Sequence, residues 1–133
     1  MSIFDPSVAK RIVDRILSSN DEILAVSIID MEGDIIAANS EYLRKALGVS
    51  MDEDKYDRTL VASALGLIHV TRDIIEEPRA VITIHKDCKL MLLPLPSFQI
   101  LVGLVLHWSV NAADYNIADK IESLISDTLW YTS

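Results

Sequence analysis

The sequence predicts an α+β domain: a five-stranded antiparallel sheet with helices packed on its faces. Three observations carry this. The run from Ala80 to Val110 is the most apolar part of the chain, and charged residues and prolines cut it into pieces of strand length. An earlier pair of apolar runs flanks a glycine-containing turn. Three amphipathic patterns stand before, between and after these runs, giving the order helix, two strands, helix, three strands, helix. The links between neighbouring strands are short, which implies antiparallel pairing.

Each element has its own signals. Residues 6–18 read as a helix, with Asp5 as N-cap and Pro6 at the first helical position. Val8, Ile12, Val13, Ile16 and Leu17 share one face, while Lys10, Arg11, Asp14 and Arg15 share the other. Ser18-Ser19-Asn20 ends it. Residues 23–38 read as a hairpin: ILAVSIID, a turn at Met31-Glu32-Gly33, then DIIAA. Gly33 supplies the positive φ such a turn needs. In residues 39–56, SEYLRKALG reads as two short helical turns ending at Gly48, and Met51–Lys55 as an acidic exposed link. Residues 57–76 read as a second helix capped by Asp57. Its apolar pattern is wider than one stripe: Leu60, Ala64, Leu67 and Ile75 form one row, and Val61, Leu65 and Ile68 the next.

Three strands follow. Ala80–His85 is the first, turning at Lys86-Asp87. Cys88–Pro94 is the second, turning at Leu95–Ser97, and Phe98–Ser109 is the third. Prolines at strand ends do not interrupt a ladder. The third strand is almost wholly apolar, so it belongs in the centre, covered on both faces, with Gly103 leaving room for a close helix or a bulge. The run is no membrane span, because Lys86, Asp87, Lys89, Pro94 and Pro96 interrupt it. Residues 112–130 read as the last helix, capped by Asn111. Ile117, Ile121, Leu124, Ile125 and Leu129 face inward; Asp114, Asp119, Lys120, Glu122 and Asp127 face outward.

Length and composition narrow the functional classes. The chain has 133 residues, which suits a single domain spanning 1–133. Its net charge of −8, without a Lys/Arg cluster, disfavours nucleic acid and anionic membrane as partners. The lone Cys88 excludes an internal disulfide and a cysteine zinc cluster. The N-terminus lacks the pattern of a signal peptide, so the expected setting is cytoplasmic and soluble, without membrane insertion.

No catalytic, cofactor or metal site is expected. His69, His85 and His107 show no ligand spacing, and neither phosphate-binding glycine motif occurs. Asp30, Glu32, Asp34 and Glu41 stand at calcium-loop positions one, three, five and twelve, but position six is Ile35 and the flanks are strands; an acidic hairpin turn is the better reading. Lys89 would lower the pKa of Cys88, although a small strand hydrophobe is the plainer role. Trp108, Trp130 and Tyr131 suit either a partner anchor or packing at the edge of the core.

The hairpin VSIIDMEGDIIAA, the small-residue helix VASALGLIHV, and the strands KLMLLPLP and FQILVGLVL resemble the roadblock/dynein light chain family over about residues 6–128. The resemblance implies a roadblock/profilin-like sheet with the second helix on one face and the terminal helices on the other. It implies dimers in which the second helices pack together and the strands after them join edge to edge, and a role in scaffolding or regulating Ras-like small GTPases or in motor complexes. The wide stripe of helix 57–76 and the unpaired amides of an edge strand at Ala80–His85 point the same way, the other use for the stripe being that segment 39–56 folds over it. The expected homodimer interface is therefore Val61, Ala62, Leu65, Gly66 and His69 with Ala80, Val81, Ile82, Thr83 and Ile84, where Ala62 and Gly66 allow close helix approach. Arg58, Arg72 and Trp108 are the expected partner-binding residues. Arg44, Arg58, Arg72 and Arg79 lie near the partner face, and none is expected to act as an inserted finger. SIIDMEGDIIAANSEYLRKALG is also similar to the opening of a PAS sensor domain, which makes a small-ligand sensor the alternative.

Overall fold

A computed structural model describes residues 2–42, 45, 53–75, 79–111 and 116–132, with side chains described at all of these except 53–61, 63, 72, 116, 131 and 132. Helix α1 spans Pro6–Ser19. The Asp5 carboxylate accepts from the Ser7 amide at 2.9 Å and fills the cap that the sequence assigns to it. Strands β1 (Ile23–Asp30) and β2 (Ile35–Asn39) form the hairpin. Helix α2 covers Glu53–Ile74. Strands β3 (Val81–Ile84), β4 (Cys88–Leu95) and β5 (Ile100–His107) follow, with a single 3₁₀ turn at Pro96–Phe98, and helix α3 covers Asn116–Thr132.

The sheet order is β2-β1-β5-β4-β3, and every neighbouring pair is antiparallel. β5 is central, as its unbroken apolar run requires, and seven of its eight residues are buried. Strand alternation sorts the apolar residues onto two faces. On one face Val26, Ile28, Met91, Leu93, Val102 and Leu104 meet Ile12 and Ile16 of α1 and Ile121 and Ile125 of α3. On the other, Ile29, Leu92 and Leu101 meet Ala64 and Ile68 of α2. One helix thus lies on one face and two on the other. The Arg15 guanidinium ties the paired helices together by donating to Thr128 Oγ1 at 2.6 Å.

Several elements differ in extent from the sequence reading. α2 starts at Glu53, so Asp57 lies within the helix rather than capping it, and Glu53–Lys55 is helical rather than a link. No residue from 53 to 58 breaks a helix, and the acidic Glu53 and Asp54 suit a helix N-terminus. α2 ends two residues before the expected Glu76. The cap expected at Asn111 and the start expected at 112 fall against residues 112–115, outside the described residues, as does Asp114. Of the described residues in 39–56, Glu41, Tyr42 and Lys45 are helical, as are residues 53–56 at the start of α2. β5 is shorter than Phe98–Ser109, because Gln99 adopts a left-handed φ of 56° and the Val110 amide closes a turn onto the His107 carbonyl at 3.1 Å.

Two small residues are placed otherwise than expected. Pro94 lies inside β4, opposite Leu101, but β3 pairs with β4 only from Leu92 to Lys89, so Pro94 has no second neighbour strand. Gly103 marks no bulge. It pairs with Ser27, whose hydroxyl would lie 2.5 Å from a Cβ at position 103. The register irregularities are in β1, between Ile23 and Ala25 and between Ile28 and Ile29.

Candidate interaction surface

Helix α2 carries two apolar sides. Ala64 and Ile68, four apart, seal the core against the sheet, with Leu65 half-buried beside them. Leu67, Val70 and Ile74 lie at spacings of three and four on a separate stripe and are 50%, 57% and 74% exposed. The row expected to unite Ala64 with Leu67 and Ile75 is therefore split: Leu67 and Ile75 face outward. Ala62, Gly66 and His69 are also exposed, and a Cβ at Gly66 would meet nothing within 4 Å. A second backbone can approach there. The side chains of Val61, Arg58 and Arg72 lie outside the described residues, as does Arg44.

Strand β3 is the sheet edge next to this helix in sequence. Val81 turns toward the α2 core and Ala80 toward the α1/α3 core, both half-buried. Ile82 and Ile84 are exposed and Thr83 is half-buried. The His85 amide donates to the Cys88 carbonyl at 2.9 Å, across the Lys86-Asp87 turn. Polar groups alternate along a strand, so Thr83 and His85 address β4, while the amides and carbonyls of Ile82 and Ile84 address the open edge. Thr83 Oγ1 is bonded to His85 Nε2 at 2.8 Å. Arg79 is exposed and precedes β3 by two residues.

Trp108 is exposed, with its ring centroid 5.5 Å from that of His107, and Trp130 is more exposed still. Neither packs at the edge of the core, because the sheet ends before Trp108 and the buried side of α3 is taken by Ile121, Ile125 and Thr128. Tyr131 lies outside the described side chains.

The polar clusters are put to structural use. Asp30 Oδ1 accepts from the amides of Glu32 and Asp34, each at 2.9 Å, and Gly33 has φ 93°. Ligand atoms of Asp30, Glu32 and Asp34 lie within 4.8 Å of one another, without Glu41, in a turn between two strands. This is an acidic hairpin turn, with Asp30 shaping the backbone. His85 and His107 both neighbour Cys88 through the backbone, but their rings engage Thr83 and Ser109. Lys89 does not activate Cys88. Its amine donates to the Val110 carbonyl at 2.6 Å, while burial and then the charge of Asp87 push the thiol above its ordinary pKa. Among the described residues no helix is long and apolar enough to cross a membrane.

The arrangement defines a class: an α+β domain with an open sheet edge and an outward apolar helix. No protein-family model matches the chain, and no curated protein matches it. Solved structures do. The chain is similar to MglB of Myxococcus xanthus, with a TM-score of 0.67 at 13% identity over 94% of this chain and 86% of that one. It is similar to a roadblock/LC7 domain from Streptomyces avermitilis, with a TM-score of 0.63 at 11% identity over 92% and 96%. LokiProfilin1, solved with rabbit actin, follows at 0.53 and 9% over 91% and 93%. The chain therefore has a roadblock-family fold, shared at a greater distance with profilin.

Proposed function

We propose that this chain is a non-catalytic, dimeric interaction module that binds or regulates a Ras-like small GTPase, or scaffolds a complex, in the cytoplasm. The observation that carries the reading is α2, which seals the core with Ala64 and Ile68 and turns Leu67, Val70 and Ile74 to solvent. A monomer has no use for so much apolar surface on one helix. Two copies joined through α2 and β3 would cover it. A sensor of PAS type needs an apolar cavity between sheet and helix. Here Ala64 and Ile68 pack directly on Ile29, Leu92 and Leu101, which favours the platform. Trp108 is the aromatic available to a partner outside the dimer face.

Sedimentation velocity at micromolar concentration tests the dimer. The parent chain sediments as a dimer, and Ala62→Glu or Gly66→Glu sediments as a monomer with an unchanged far-ultraviolet spectrum. A monomeric parent overturns the reading. The partner is tested by biosensor binding of Ras-like GTPases from the native host, loaded with GDP or a non-hydrolysable GTP analogue. Binding that depends on nucleotide state supports regulation, and binding by none of them removes the GTPase from the proposal.

A further inference from the structure

We infer that His85, Cys88 and His107 form a site for a divalent transition metal of the zinc class, the three ligands standing in one row across the ends of β3, β4 and β5. The site lies within one chain and needs no second copy. No spacing in the sequence announces it, because the sheet, and not the chain, brings the three residues together.

Two strand registers fix the row. Cys88 is paired directly with His107. The ladder in which Ile84 meets Lys89 continues to His85 and Cys88, where the His85 amide donates to the Cys88 carbonyl at 2.9 Å. Residues paired across antiparallel strands project to one face, with Cβ atoms about 5 Å apart. Here it is the face of Leu90 and Val105, against which Cys88 packs. Lys89 projects to the opposite face, where its amine donates to the Val110 carbonyl at 2.6 Å. Thiolate and imidazole are the ligands zinc prefers, at about 2.3 Å and about 2.1 Å, and a set of three leaves the fourth position to water. A metal seated over Cys88 therefore has one imidazole on either side, each rooted about 5 Å from the cysteine Cβ.

The rings carry a second sign. Each is held by a hydroxyl at one nitrogen. Thr83 Oγ1 is bonded to His85 Nε2 at 2.8 Å, and Ser109 Oγ to His107 Nδ1 at 2.7 Å, where the Ser109 amide also approaches at 3.2 Å. His85 Nδ1 and His107 Nε2 make no hydrogen bond among the described residues. A metal-bound histidine is oriented in this manner, with its second ring nitrogen donating to a neighbouring oxygen. In His107 the proton then sits on Nδ1 and is donated to Ser109 Oγ, and the longer amide contact is given up. As placed, the rings follow the hydroxyls along their own strands. Among the described residues the group of three whose ligand atoms already converge, within 4.8 Å, is Asp30, Glu32 and Asp34. Binding at Cys88 turns both imidazoles toward the thiol. His85 is exposed and His107 half-buried, so packing locks neither in place.

Cobalt(II) reports the site, because a thiolate ligand gives it a charge-transfer band in the near ultraviolet that oxygen ligands do not. The reduced chain is titrated with Co²⁺ and then with Zn²⁺ in competition, and far-ultraviolet spectra check the fold of each variant. The parent is expected to show the thiolate band and to lose it to Zn²⁺. Cys88→Ala shows no band, and His85→Gln and His107→Gln each bind about tenfold more weakly or worse. A parent without the band overturns the site. An affinity unaltered in either histidine variant overturns the three-ligand set. Metal bound equally by the parent and by Cys88→Ala, without the band, belongs to the acidic turn at Asp30 and overturns the inference. Protection of the thiol gives a readout that needs no change at Cys88. Micromolar Zn²⁺ slows its reaction with a maleimide about tenfold or more in the parent and not in His85→Gln. No slowing in the parent overturns the site.

Discussion

Gly103 offers the sharpest test of the sheet register. A Cβ built there lies 2.5 Å from Ser27 Oγ, 3.5 Å from Leu92 Cδ2 and 3.8 Å from Ile29 Cδ1. Leu92 and Ile29 are at ordinary contact distance. The serine oxygen stands about 1 Å inside the separation at which non-bonded atoms settle. Gly103→Ala must therefore rotate the Ser27 hydroxyl or move β1 against β5. Overpacking of this kind costs roughly 1–3 kcal/mol, and a single rotor that can yield puts the cost in the lower half of that range. Alanine returns about 0.5–1 kcal/mol by restricting the unfolded chain. The net expectation is a loss of about 1 kcal/mol, or a fall in Tm of about 3–5 °C for a chain of this size. Ser27→Ala removes the offending oxygen and keeps the strand. The double variant should then be about 1 kcal/mol more stable than the sum of the two single changes predicts, measured by urea denaturation as a double-mutant cycle. A neutral Gly103→Ala, or a cycle with no coupling, would refute the placement of Ser27 against Gly103.

Three further expectations follow from the site. Cys88 should react with a maleimide at pH 7.5 more slowly than a free cysteine, because burial and the neighbouring Asp87 both disfavour the thiolate, and Asp87→Asn should speed it; a faster-than-free thiol would contradict this. The hydroxyl and amide of Ser7, in that order, hold the Asp5 carboxyl below its ordinary 3.8, so its contribution is complete above that value and fades as the pH falls through the lower folded one. The difference in Tm between the parent and Asp5→Ala should accordingly be flat at neutral pH and narrow below about pH 4, and a gap unchanged at pH 2.5 would count against the cap. If a cognate GTPase is stimulated, changing Arg44, Arg58, Arg72 or Arg79 to alanine should leave single-turnover hydrolysis stimulated, since a platform acts by favouring one conformation of the switch loops; loss of stimulation with binding intact would identify an arginine finger.

The sequence by itself determined the elements whose causes are local. Asp5 and Pro6 open α1 because a cap and a fixed φ act within one turn. Gly33 makes the first hairpin for the same kind of reason, and β1 runs over the residues its apolar run marks, Ile23–Asp30. The central place of β5 was legible too, since a strand without a polar side has nowhere else to go. The start of α2 was not, because several acidic residues before Leu60 could each cap a helix, and its length there depends on the absence of a breaker.

Tertiary structure decided whatever depends on two distant segments meeting. Both rows of α2 read as equally apolar, and only packing on Ile29, Leu92 and Leu101 shows that Ala64 and Ile68 face in while Leu67 and Val70 face out. Gly103 reads as room for a neighbour, and only the β1–β5 register names Ser27. Lys89 reads as an activator of Cys88 until the end of β5 brings the Val110 carbonyl to its amine. The direction in which Ile82 presents its amide is a fact of the β3–β4 hairpin, because one residue of slip would turn that amide inward and present those of Val81 and Thr83 instead.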